Sequence, residues 1–111
     1  MDQITWQDFE RVDIRTGTIT AVDLFPEAKK AAFRLTIDFG AMGTRKSSAQ
    51  VTSLYQPQKL VGRQIIAVIN FPPKQVANFI SECLLLGPAQ DDGSVVLLQT
   101  ERETANGIKI S

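Results

Sequence analysis

Residues 12–24, VDIRTGTITAVDL, alternate like a β-strand, and the alternation changes sides along the way. Apolar side chains fall on Val12 and Ile14, then on Ile19 and Ala21, then on Val22 and Leu24, so the parity shifts from even to odd and back. Successive strand side chains point to opposite faces, so a parity shift means a bulge or a sharp bend. Gly17 stands in the first shift, where a missing side chain lets the backbone turn. The pattern predicts a long, bent first strand.

The rest of the chain extends that expectation. TWQDF reads as a short helical turn, with Thr5 as its cap and Asp8 three residues on. In the second strand Ala31, Phe33, Leu35, Ile37 and Phe39 share one face, and Arg34, Thr36 and Asp38 the other. Gly40 and Gly43 bracket a hairpin connection to a third strand, TRKSSAQV. Pro57 starts a short helix that Gly62 stops, with Leu60 and Val61 packing inward. QIIAVIN suits a strand buried on both faces, FPPK breaks the pattern, and ECLLLG and SVVLLQ straddle an Asp91–Asp92–Gly93 turn. The fold class is therefore all-β: a five-stranded OB-fold barrel with a short helix between strands 3 and 4 and short N- and C-terminal extensions. An SH3-like barrel has a similar strand count but usually lacks a helix at that point. With no repeat or linker in sight, residues 1–111 are expected to form one domain.

Several function classes drop out. The chain has no histidine, which removes Ser–His and Cys–His nucleophile pairs and imidazole metal sites. The single cysteine, Cys83, reads as a small buried strand residue and rules out an internal disulfide. No cofactor or metal site is legible, and an enzyme is not expected. The first ten residues, MDQITWQDFE, lack a signal peptide's basic and apolar regions, and the aliphatic run at residues 65–69 is too short to span a bilayer. A cytoplasmic protein without membrane insertion is the expectation.

Residues 39–50, FGAMGTRKSSAQ, superficially echo a phosphate-cradling loop. Gly40 and Gly43 are too close together for that cradle, and strand follows where helix is required. The stretch reads better as a hairpin presenting Arg45, Lys46, Ser47, Ser48 and Gln50, with Lys46, Ser48 and Gln50 on one face and Arg45, Ser47 and Ala49 on the other. Formal net charge is zero, but residues 29–81 hold eight bases and one acid between two acidic flanks. That segregation allows a local anion-binding face on a neutral protein.

FERVDIRTGTI, SSAQVTSLYQPQKLVGRQIIAVINFPPK and SECLLLG, followed by VVLLQ and NGIKI, resemble the CsaA family of tRNA-binding domains, also found at the C-termini of some methionyl-tRNA synthetases. The resemblance runs over residues 9–110. It implies an OB-fold homodimer that binds tRNA by shape, through phosphate and 2′-hydroxyl contacts. It also implies a chaperone role linked to protein export, with preproteins and the export machinery (SecA) as partners. Carried over by motif, the RNA-binding positions are Ser48, Asn70, Lys74 and Ser81; proximity adds Arg45, Lys46 and Gln50. The chain departs from its relatives where they read Ser-Gly-Ile, having Ser48, Ala49 and Gln50, and where they read Met-Arg-Gly, having Val76, Ala77 and Asn78. Asn78 tolerates the left-handed backbone that a glycine there would supply, and Ala77 lacks the arginine's phosphate contact. The alternative reading is a peptide- or preprotein-binding chaperone with only residual RNA affinity, its groove lined by Trp6, Phe9, Phe71 and Phe79. Against it, Trp6 and Phe9 fit a dimer seal, with Ile4, Ile108 and Ile110, and Phe79 fits the interior.

Overall fold

The computed structural model describes every residue, Met1–Ser111. Its elements are α1 (Trp6–Glu10), β1 (Ile14–Leu24), β2 (Phe33–Asp38), a 3-10 turn (Gly40–Met42), β3 (Thr44–Ala49), α2 (Pro57–Leu60), β4 (Gln64–Val68), β5 (Lys74–Val76), β6 (Phe79–Ser81) and β7 (Leu84–Leu85). Five antiparallel strands run in the order β3-β2-β1-β4-β7, and β5 and β6 form a separate hairpin. The order places β3 and β7 at the two ends of the sheet. Contacts between β3 and the residues around β6 and β7 bring those ends together, giving the OB barrel.

β1 serves two partners, as the sequence pattern requires. Ile14 to Thr18 pair with β4, and Thr18 to Leu24 pair with β2. The register slips between Ile19 and Ala21, so the bulge falls at Thr20 rather than at Gly17. Gly17 has a different reason to be glycine. A Cβ there would lie 2.6 Å from the Phe39 ring and 2.8 Å from Ile37, so the core closes directly over its backbone. The early parity of Ile14 also has its own cause: the segment near residue 108 lies along β1. Ile108 and Gly107 exchange main-chain hydrogen bonds with Thr16, and Ile110 donates to the Ile14 carbonyl.

The core gathers Ile19, Phe33, Leu35, Ile37 and Phe39 from β1, β2 and the turn, with Leu60, Ile65, Ala67, Ile69, Leu85 and Leu97. Three expectations shift by a residue or an element. Ala31 is exposed and Ala32 is buried, because β2 begins only at Phe33. Leu60 is buried, but Val61, at the C-cap of α2, is half exposed. SVVLLQ forms no named strand, although Gln90, Val96 and Leu98 donate across to Ser94, Pro88 and Leu86. Pro88, lacking an N–H, prevents a regular ladder there. The Asp91–Asp92–Gly93 turn closes as expected, with the Ser94 N–H and hydroxyl both donating to Asp92 Oδ1.

Candidate nucleic-acid interface

The register of β3 against β2 sets what the third strand can present. Arg45, Ser47 and Ala49 lie opposite Ile37, Leu35 and Phe33, so they face inward; Lys46 and Ser48 face outward. Arg45 is thereby separated from the two residues it was grouped with. It is half-buried, its Nε is buried without a hydrogen-bond partner, and its charge acts on Cys83. Ser47 is fully buried and donates to the Cys83 carbonyl at 3.0 Å. Burial pushes the Cys83 thiol up to about 12, with Arg45 opposing the rise. This is an inert thiol.

The free edge of β3 meets the chain around Glu82. The Glu82 N–H donates to the Lys46 carbonyl at 2.7 Å, and the Lys46 N–H donates to Glu82 Oε1 at 3.0 Å. Past this closure the strands part around a cleft of about 530 Å³. Ser48, Gln50, Lys74 and Ser81 all line it, over a floor that includes Val76, Leu84 and Val95. Lys74 and Ser81 arrive together because they pair across the β5–β6 hairpin. Ser81 also leans toward Ser47, hydroxyl to hydroxyl at 3.4 Å. Lys46 is exposed on the outward face of β3 but does not line the cleft.

A second hollow of about 420 Å³ shares Ser48, Gln50 and Val76 with the cleft and adds Glu27, Lys29 and Lys30. These two lysines sit on the β1–β2 connection. Their doublet in FPEAKK, on the loop that OB folds place beside the β2–β3 face, was the signal available.

Asn70 stands apart. Its Nδ2 donates to the Arg11 carbonyl at 2.7 Å, and its Oδ1 accepts from the Asp13 N–H at 2.9 Å. The amide clamps the end of α1 to the end of β4 and lines neither hollow. The positive φ that Asn78 would have tolerated falls on Ala77, at +52°. Val76 pairs with Phe79, so Ala77 is the first of two loop residues, where a primed hairpin turn needs positive φ.

The aromatic residues also divide. The Phe79 ring packs 5.5 Å from that of buried Phe25, which the Arg34 guanidinium overlies. Phe71 is 54% exposed and Trp6 83%, while Phe9 is half-buried. Trp6 and Phe9 border two adjoining shallow hollows with Ile4, Ile110 and Ser111. No three His, Cys, Asp or Glu side chains are grouped to hold a metal ion, and no helix is long and apolar enough to cross a membrane.

A barrel with one half-open seam, a mostly apolar cleft there edged by Ser48, Gln50, Lys74 and Ser81, and further lysines beside it defines a small OB-fold binding domain. Comparison with known proteins identifies its kind. The profile described as "Putative tRNA binding domain" matches residues 14–109, and the chain belongs to that family. The family is a binding domain, not a catalytic one. The CsaA chaperone from Bacillus anthracis str. Ames is similar at 51% identity and TM-score 0.94, covering 99% of this chain and 100% of that one. The CsaA chaperone protein from Picrophilus torridus is similar at 49% identity and TM-score 0.90, covering 98% and 100%. A methionine–tRNA ligase from Methanococcoides burtonii is 32% identical over 106 residues, which are 96% of this chain and 15% of that enzyme. The chain spans only about a sixth of the length of the ligases it matches, at 15% to 17%.

Proposed function

We propose that this chain is a tRNA-binding OB-fold protein, acting as a single domain over residues 1–111, with its RNA face on the cleft and hollow beside β3. The carrying observation is convergence. Ser48 and Gln50 from one stretch and Lys74 and Ser81 from another, over twenty residues on, line one cleft, and Lys29 and Lys30 continue its rim. The lysines neutralise phosphates, and the serines and Gln50 hydrogen-bond to sugar and phosphate oxygens, which suits recognition of an A-form shape. Lys46 extends the positive surface along the outward face of β3. Arg45 supports the strand from inside, and Asn70 positions α1 rather than touching RNA.

The test is a salt titration of folded tRNA, with duplex DNA of equal length in parallel. The expected result is preferential tRNA binding, with log affinity falling linearly with log salt. Equal affinity for both, or an affinity indifferent to salt, overturns the reading.

A chaperone role linked to protein export accompanies this function in our reading, as do a cytoplasmic location and a homodimer sealed by Trp6 and Phe9. Its supports are the two chaperone relatives and the exposed apolar side chains at residues 4, 6 and 71. Preproteins and the export machinery (SecA) are the partners it assigns. Suppression of aggregation of an unfolded preprotein at stoichiometric ratio is the expected outcome; light scattering unchanged by the protein removes the role.

A further inference from the structure

The two main-chain edges that meet beside β3 are joined at one end only. In the β2–β3 ladder Phe39 and Gly43 are bonded, so Arg45, Ser47 and Ala49 turn their N–H and C=O groups toward β2. Lys46, Ser48 and, by the same alternation, Gln50 turn theirs toward the seam. The Lys46 groups are taken by Glu82. The Ser48 carbonyl accepts only from the neighbouring Ser47 hydroxyl, and neither the Ser48 N–H nor any main-chain group of Gln50 has a partner in the protein.

The opposite wall is built the same way. The Leu86 N–H donates to Ile66, so Leu84 and Leu86 face β4 while Cys83 and Leu85 face the seam. The Cys83 carbonyl accepts from Ser47 and Ser81, and Leu85 is unpaired. Between these edges lies the cleft of about 530 Å³, within the ordinary range for ligand sites.

We infer that the open end of this seam binds an extended polypeptide segment by strand addition along β3, with alternate apolar side chains on Val76, Leu84 and Val95 and an acidic residue against Lys74. An unpaired strand edge offers donors and acceptors at a two-residue repeat, which an extended main chain matches and a sugar–phosphate chain does not. The lining is mostly apolar, and Lys74 is its single charged residue, so complementarity favours one carboxylate on an otherwise apolar segment. Because Ser48, Gln50, Lys74 and Ser81 belong to the same cleft, polypeptide and RNA exclude one another. That last step rests on the RNA reading given above; the strand addition does not.

The probe is a fluorescent, blocked heptapeptide of alternating valine and threonine with one terminal glutamate, together with single N-methylated versions. Methylating the amides that face β3 is expected to weaken binding about tenfold each, and methylating the intervening ones to change little. Leu84→Glu and, independently, Val76→Glu are expected to weaken binding while the melting curve stays cooperative. Equal binding by all N-methylated forms, no binding, or a seam filled by a second copy of the chain overturns strand addition. With peptide at ten times its Kd, the apparent Kd for tRNA is expected to rise about tenfold by mass action. Simultaneous binding overturns the exclusion. Register-dependent peptide binding by a protein that ignores tRNA leaves the strand addition standing and removes the RNA reading alone.

Discussion

Ala77 is the residue whose backbone is most at odds with its side chain. A positive φ costs an L-residue roughly 1–2 kcal/mol, and glycine repays part of the gain through its freer unfolded chain, roughly 0.5–1 kcal/mol. Ala77→Gly is therefore expected to stabilise the protein by up to about 1 kcal/mol, read as a higher urea midpoint at unchanged slope. A lower midpoint would show that the loop does not hold the strained conformation. The sequence marked the next residue, Asn78, as tolerant of such a backbone, but only the Val76–Phe79 register decides which loop residue takes it. The burial of Cys83 was legible, because its apolar neighbours left it no polar role, but the residue lies between β6 and β7 rather than in a strand. Its raised pKa carries a sign. The folded state holds the thiol proton from about 9 to about 12 while the unfolded chain releases it, so stability should fall as pH rises through that window. Native protein at pH 8.5 should accordingly resist a thiol reagent that modifies the urea-unfolded chain at once. Rapid native labelling would mean that the seam opens at Cys83.

Single elements show why a pattern can be right while its explanation is displaced. The bend in β1 was visible as a parity shift, yet half-buried Ile14 lies beside a segment over ninety residues later, bonded to it through the main chain, that no local window contains. The same limit hid the contacts of Asn70. Motif placed it at the end of the fourth strand, correctly, but its amide spans Arg11 and Asp13, which only the packed α1–β1 junction brings near. By contrast the Thr5 cap was fully legible, because a capping box lies within four residues: the Thr5 hydroxyl accepts from the Asp8 N–H, and Asp8 accepts from Thr5. If Asn70 is a clamp, Asn70→Ala loses two hydrogen bonds at about 1 kcal/mol each and lowers the melting temperature, while the salt slope of tRNA binding stays as it was. A normal melting temperature with weakened tRNA binding would return Asn70 to the RNA face.

At the scale of the whole molecule, zero net charge is compatible with a nucleic-acid partner only if the bases are gathered and the faces repeated. The gathering is testable by contrast. Lys29→Ala, Lys30→Ala and Lys74→Ala should each reduce the salt slope by about one phosphate's worth. Lys59→Ala should not, because Lys59 lines a different hollow with Arg63, Arg102, Glu101 and Glu103, where acids offset the bases. In the homodimer proposed above, the repetition depends on α1 and the segment near Ile110. Trp6, 83% exposed on a helix with no buried residue, gives a lone chain little reason to place an indole there. A homodimer supplies one. Trp6→Glu should convert the dimer to a folded monomer in sedimentation, with the barrel's melting curve still cooperative. If tRNA spans both subunits, the monomer loses avidity as well as half of its lysines, so affinity should fall far more than a single phosphate contact explains and the salt slope should halve. A monomeric variant that keeps the full slope would place the entire RNA face within one barrel. A variant that remains dimeric would move the interface away from α1.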